Sequence, residues 1–528
     1  MNKRIDGEQN WLTQLFVSLS ILRNRKSHKK TRPAYKRKLL AAWTMSILCL
    51  GASVAANAAT KYVRPKAGGP YGSGNGSSYS NAFSGFAAIS VNSGDTLKVC
   101  GSFNSADAST SSFLFLFGVS GSEGNPTVVD GDCSEEGDLA QASLNASGRQ
   151  FGIYIDKGSS YITIKNMEVF GVDSEPLYNR FLLRLGSTGT QEEVSNITVS
   201  KIKLHDAAHL NDKTEADGIW GACNNCLIDG NEIYNIPADG IWLGKAENTE
   251  ISNNYVHHVA TNGLVTGDCT QVARAPNLYV HNNIFDHSNT EAKQALIVSV
   301  ESPNARIMNN QLLMSTAQDQ THGISMTANI QSDEAIISGN YISGGWTALA
   351  VSGNNVQINN NIIINPYGNA VISADNSSGQ YFYNNTVDCG GAPGVIGFNL
   401  SGKEYSRAFK NNIITRCQAA VSKGGTASKL IFEDNLLFKN TDNDLYFTMS
   451  ESNIVADPKA LNASGSYSNP KDYTLLAGSP AINAGADVGL KSDYLGNAII
   501  DTPDIGAFEY KGASIQPPEL RVKTSASE

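Results

Sequence analysis

Charge is scarce in this sequence. Asp, Glu, Lys and Arg make up 17% of its 528 residues, while glycine reaches 49 and Asn and Ser abound. Gly, Asn and Ser favour turns over helix interiors, which argues against a helical protein and suits many short strands joined by tight turns. Regular Asn-Gly or Asp-Gly hairpins are also missing, and this argues against a β-propeller built from antiparallel pairs. The one long apolar run, LLAAWTMSILCLGASVAA, is short for a membrane span. No second cysteine pair stands at zinc spacing from the CNNC at 223–226, so that motif is read as part of a repeat.

Residues 1–58 differ from the rest. They hold 11 of the 40 basic residues but only Asp6 and Glu8 among the acids. A basic stretch, the apolar run and the small residues around Ala56-Asn57-Ala58 read as a secretory signal with a long basic n-region, cleaved near Ala58. Cys49 is followed by Leu, which argues against lipidation. Cleavage would leave 29 basic against 47 acidic residues, a balance near −18. Such a body repels nucleic acid and anionic membranes, and an acidic polymer would need a cation or a local basic patch. The expected product is a secreted or periplasmic monomer, free of the membrane after cleavage. Seven cysteines would remain, so at least one is unpaired; Cys100–Cys133 and Cys389–Cys417 are the plausible disulfides.

The chain is repetitive. Between 160 and 450 it returns to an apolar alternation followed by Asn, at Asn166, Asn231, Asn254, Asn283, Asn310, Asn340, Asn361, Asn385 and Asn412, closing at Asn435. Lys201 takes the place between the first two. Spacings of 21 to 35 residues keep the rung fixed and let one loop vary. Period-2 bursts with a turn Asn at each corner predict an all-β, single-stranded parallel β-helix of about 10–12 coils. A corner Asn tolerates the left-handed conformation, and its amide can bond the Asn of the next coil. The expected layout is an N-terminal cap and first coils over 59–159, a central helix over 160–450, a C-terminal cap over 451–510 and a polar tail over 511–528.

Coil stacking places like residues roughly 4.8 Å apart. The position before Gly-Ile in the doubled phrase ADGIW then forms a column: Asp217, Asp239, Asn262, Gln294, His322, Thr347 and Asn369. Strand alternation turns Trp220 and Trp242 outward beside the two aspartates. An exposed indole is a platform for the apolar face of a sugar ring. All seven histidines beyond the signal lie between His205 and His322. Of these, His205, His258 and His287 are expected to form a second column, with Asn235 between them. Lys213, Lys245, Arg274, Lys293 and Arg306 fall in the same window and could supply the basic patch.

The closing stretches YTLLAGSPAINAG (473–485) and SDYLGNAIIDTPDIGAFEY (492–510), with the opening TKYVRPKAGGPYGSGNGSSYSNAFSGF (60–86), resemble the ends of secreted bacterial right-handed parallel β-helix proteins. That resemblance implies a right-handed coil with both ends capped. EADGIW, ADGIWLG and THGISM resemble the Asn-Thr-Asp, Asp-Asp and His-Gly signatures of polygalacturonase-type hydrolases, at Asp217, Asp239 and His322–Gly323. The chain is also similar to calcium-dependent pectate-type lyases, which implies Asp217 and Asp239 as ligands for Ca²⁺. The paired Asp-Pro-His-Asp motif of alginate epimerases is absent. The expected function is a polysaccharide-active enzyme, with a lyase acting on a uronate polymer by β-elimination preferred. A glycoside hydrolase using Asp217 and Asp239 and a non-catalytic polysaccharide-binding surface protein are the alternatives. Candidate catalytic residues are Asp217, Asp239, Lys245, His258, Lys293, Arg306 and His322; candidate substrate-binding residues are Trp220, Trp242, His205, His287 and Arg274.

Overall fold

Short alternating strands with left-handed corners leave the chain one economical path: it coils, and each turn pairs with the next. In the computed structural model it does so through three parallel sheets, visited in the order 1, 2, 3 in every full coil. The structure describes residues 58–512, apart from 139–140, 174–178, 188–192, 209–215, 261–266, 289–294, 316–320, 327–332, 374–378, 401–405, 424–428, 445–446 and 463–465. Sheet 3 holds 12 strands and sheet 2 holds 14, so the stack reaches the upper end of the expected coil number. Ile and Val columns fill the interior: Ile197, Ile228, Ile251, Val280, Ile307 and Ile337 are all essentially inaccessible. Each such side chain contributes about 1.5–3 kcal/mol by leaving water.

The corner between sheets 1 and 2 divides between two neighbouring residues the tasks expected of one. The first is left-handed, in a column from Asn166 (φ 58°) and Lys201 (φ 53°) through Asn253 (φ 55°), Asn309 (φ 55°) and Asn360 (φ 54°) to Asp434 (φ 57°). The second is the buried amide. Asn231, Asn254, Asn283, Asn310, Asn340, Asn361, Asn385, Asn412 and Asn435 pass Nδ2 to the next Oδ1 at 2.9–3.0 Å, and the ladder ends on Asn453. Asn166 and Lys201 are therefore not rungs of the ladder. Register puts them level with Gly230, and the Asn166 amide donates instead to Asp130 at 2.9 Å. The recurring Asn-Asn dipeptides are explained by this division.

Three disulfides lie among the described residues: Cys100–Cys133, Cys389–Cys417 and Cys223–Cys226. The first two match expectation. The CNNC motif is a third bond within a coil, and the odd cysteine is the buried Cys269.

The described residues of 456–510 pack against the outer side of sheet 2. The amides of Asn384 and Asn411 reach the carbonyls of Asp504 and Ala486, and the Tyr473 hydroxyl donates to Asp388 at 2.8 Å. Within this cap Glu509 is pushed up to about 7, first by burial and then by Asp504 and Asp493. A carboxyl raised on folding stabilises the fold below its unfolded value near 4.5 and loses that contribution as pH climbs through 7. The thermal midpoint is expected to fall across that window by the equivalent of about 1–3 kcal/mol. Glu509→Gln should flatten the slope, and an unchanged slope would remove Glu509 as its cause.

Candidate functional site

The site is built on the outer face of sheet 3 and on its edge toward sheet 2. Each sheet 3 strand turns a pair of adjacent residues inward at its start, so the residues flanking that pair both face out. The pattern recurs as Phe151-x-x-Tyr154, Phe181-x-x-Arg184, Asp217-x-x-Trp220, Asp239-x-x-Trp242 and Asp268-x-x-Gln271. Stacking these pairs lines up rings over successive coils. Phe115 stacks on Tyr154 (centroids 4.8 Å), Phe151 on Phe181 (5.7 Å), Phe181 on Trp220 (4.5 Å) and Trp220 on Trp242 (5.5 Å, 11° between planes). Arg184 is set into this tract, its guanidinium 4.5 Å from the Tyr154 ring centre and 5.6 Å from Trp220. Both tryptophans remain partly exposed.

The tract ends on a ladder of carboxylates. Asp217 Oδ1 accepts the backbone N–H of Asp239 at 2.9 Å, and Asp239 Oδ1 accepts that of Asp268 at 2.6 Å. Asp217 and Asp268 are buried, and Asp239 is partly open to solvent. The expected column is confirmed at Asp217, Asp239, His322, Thr347 and Asn369. It is corrected between them, because strand register places Asp268 and Ala295 where Asn262 and Gln294 were expected. Asn262 and Gln294 themselves lie outside the described residues. The physical reason is register: the strand that pairs with Ile241–Leu243 is Thr270–Ala273, which sets Asp268 level with Asp239.

The histidine column is corrected by one residue. His205 pairs with Tyr234 and Tyr234 with His257, whereas Asn235, His258 and His287 form the neighbouring column, headed by Asp206. Because side chains alternate, that one-residue slip moves His205 into a different row. There Phe170, His205, Tyr234 and His257 stack at 5.2, 4.6 and 5.1 Å, all within 6° of parallel. His205 also bonds Asp206 at 2.9 Å and Glu168 at 3.1 Å. His257 and His258 share an Nδ1–Nδ1 contact of 2.7 Å, in which one nitrogen must donate and the other accept. Burial, then the neighbouring His258, holds His257 below its usual value.

His287 is buried, its Nε2 3.2 Å from Cys269 Sγ. Burial drives this imidazole down to about 4 and pushes the Cys269 thiol up, reinforced by Asp268 and Asp286. Both partners are therefore neutral, and Cys269 lacks the thiolate a nucleophile needs. His322 is lowered by burial alone.

The basic candidates do not gather at the aspartates. Lys245 and Arg274 sit at the far ends of sheet 3 strands, Lys245 paired with Glu193 and Arg274 donating to the Gly244 carbonyl at 2.9 Å. Arg306 lies on sheet 1, another face of the coil. Lys293 and Lys213 lie outside the described residues. Sequence reasoning missed Asp268, Phe181, Arg184 and the His257–Tyr234 stack.

Calcium takes six to eight oxygens. Asp217 and Asp239 each commit one oxygen to the adjacent coil, and no group of three metal-binding side chains converges among the described residues. These residues do not by themselves fit a Ca²⁺ ion, and no chemistry below is routed through one.

The protein is thus a right-handed parallel β-helix carrying an aromatic tract that ends on an aspartate ladder. Residues 151–329 match the family described as right handed beta helix region. No curated protein sequence matches the chain. Among solved structures it is similar to a lacto-N-biosidase of the GH136 family from Eubacterium ramulus (13% identity, 66% of this chain and 68% of that one, TM-score 0.44). It is also similar to the PL6 family alginate lyase AlyGC (13%, 74% and 55%, TM-score 0.49) and to pectate lyase Pel9A (14%, 86% and 97%, TM-score 0.37). At these identities the likeness is one of fold, and no residue role is carried across.

Proposed function

We propose that the protein is a polysaccharide-active enzyme that lays an acidic glycan along sheet 3 and cleaves it beside Asp239. The observation that carries this reading is the run of rings from Phe115 to Trp242, leading to a partly exposed carboxylate. Rings stacked face to face present their edges outward, and the coil spacing of about 4.8 Å is close to the length of one pyranose unit, so successive ring edges meet successive sugars. Arg184 supplies a positive charge inside that tract, where it would meet a uronate carboxylate. The three disulfides support export to an oxidising compartment.

For bond cleavage the preferred reading is β-elimination. Arg184 pairs in register with Trp220, Trp242 and Gln271, three coils before the coil of His257, so it holds the carboxylate of another sugar of the same polymer, and at the cleaved unit the reacting proton is the C5–H beside the uronate carboxylate. A neutral imidazole of the His257–His258 pair takes that proton, the C5–H electrons form the C4–C5 double bond, and the C4–O bond breaks. The departing oxygen takes its proton from the carboxylic acid form of Asp239, which is left as the carboxylate. One observation favours a second reading: Asp239 and Asp268 on successive coils form a carboxyl pair that a hydrolase could use.

Affinity electrophoresis tests the acidic-glycan reading. Arg184→Gln should weaken binding of a uronate polymer by about tenfold or more, the scale of one charge-assisted hydrogen bond, and leave a neutral glucan nearly unaffected. Equal weakening on both would leave Arg184 a packing residue and remove the argument for acidity. EDTA is expected to leave the binding and turnover of the wild type within about twofold; full loss would restore Ca²⁺ between Asp217 and Asp239.

A further inference from the structure

The C-terminal cap covers part of the outer side of sheet 2, whereas sheet 1 carries a groove of about 790 Å³ that no step above uses. Its floor is one register column: Tyr279, Arg306, Ile336, Gln357 and Tyr381 pair in succession, coil upon coil. The two tyrosines stand four strand spacings apart, about 19 Å, with the Arg306 guanidinium and the Gln357 amide between them. Arg306 and Gln357 are exposed, and among the described residues the Arg306 side chain makes no ion pair or hydrogen bond. Tyr279 is held by stacking on His281, centroids 3.9 Å apart.

The groove's wall shows why its polar groups are open. An outer amide ladder runs Asn225, Asn248, Asn277 and Asn304, with Nδ2 to Oδ1 distances of 3.0, 2.8 and 3.3 Å. The next position in this left-handed column is Glu334 (φ 60°). A carboxylate cannot donate to Asn304, so the ladder stops there. Glutamate is also a poor occupant of a left-handed corner. At this point the coil gives up a self-satisfied amide row for a carboxylate that lines the same groove as the Arg306 guanidinium.

We infer that the outer face of sheet 1 is a second glycan-binding groove, with Tyr279 and Tyr381 as ring platforms and Arg306 as the anchor for a sugar carboxylate. Hydroxyl groups both donate and accept, and Gln357, Glu334 and Asn304 offer both roles within one groove. A groove of this volume falls in the range of small-ligand sites. The inference rests on the reading of the protein as polysaccharide-active. With two faces engaged, the polymer gains by effective concentration, since release from one groove leaves it tethered at the other.

The test is calorimetric titration of the full chain, without its signal, with hexamers of galacturonate, mannuronate and guluronate, and with cellohexaose as the neutral control. Two sites per chain are expected for at least one uronate hexamer. Arg306→Gln and Tyr381→Ala should each weaken one site by about tenfold or more, leaving the other unchanged; the exposed Arg306 change guards against a folding defect in the Tyr381 variant. Trp242→Ala should remove the other site. If the sheet 1 variants bind every hexamer like wild type, the second groove is overturned while the sheet 3 reading stands. If Trp242→Ala alone changes nothing, the sheet 3 reading fails and the sheet 1 groove survives. Binding of cellohexaose with equal affinity at the Arg306-dependent site would overturn the carboxylate anchor.

Discussion

Asp239→Asn is expected to reduce turnover on the polymer by about 10²–10⁴-fold, the usual contribution of a positioned proton-transfer group. The substitution is chosen because asparagine keeps the Oδ1 that accepts the Asp268 N–H at 2.6 Å, and it leaves the donor to Asp217 in the backbone. The ladder therefore survives while the ionisable oxygen is lost. Thermal unfolding should move little. Asp217→Asn offers the internal comparison: that residue is buried and bonded to the next coil, so it should lose less turnover. A Tm collapse in Asp239→Asn with turnover per folded molecule intact would make the whole ladder a structural device.

The second large effect is on stability. Asn310→Leu should lower stability by about 3–6 kcal/mol, read as the shift in urea midpoint of the described coil stack. Asn310 donates Nδ2–H to the Val280 carbonyl and to Asn340 Oδ1, and its own Oδ1 accepts both the N–H and the Nδ2–H of Asn283. It is 2% exposed. Leucine fills the space but strands several buried polar groups, each worth about 1–3 kcal/mol when left unpaired. A loss below about 1 kcal/mol would show that the rungs relax independently and that the ladder is not a cooperative element.

The coil architecture was legible because its cause is periodic. Apolar alternation, a varying loop and a returning Asn are local signals that survive translation into three dimensions, and the Asn-Asn dipeptides already held both corner residues. Their separate tasks were not legible, since a left-handed residue and a buried amide have the same letter. Register across loops was harder still. Asp268 was hidden because Asp-Cys-Thr lacks the glycine of Asp-Gly-Ile, while the nearby Asn-Gly-Leu imitates it. His205 was misplaced by one residue for the same reason: nothing in the sequence fixes where a loop ends and a strand begins. Phe181 and Arg184 could have been found, because Phe181-x-x-Arg184 repeats the spacing of Asp217-x-x-Trp220. The dispersal of Lys245, Arg274 and Arg306 over different edges and faces was beyond reach, because a shared sequence window of five coils spans every side of the helix.

The reading of sheet 3 as a cleavage site comes down to the products made from acidic polysaccharides. Ultraviolet absorbance of unsaturated uronate and the yield of reducing ends should be followed together, with wild type and Asp239→Asn side by side. The account predicts that both signals rise in step for at least one uronate polymer with wild type and that both are nearly lost in the variant. Reducing ends without absorbance would transfer the chemistry to the Asp239–Asp268 pair as a hydrolase. Neither signal on any acidic polymer bound by the Trp220–Trp242 face would contradict the account and leave a glycan-binding protein without catalysis.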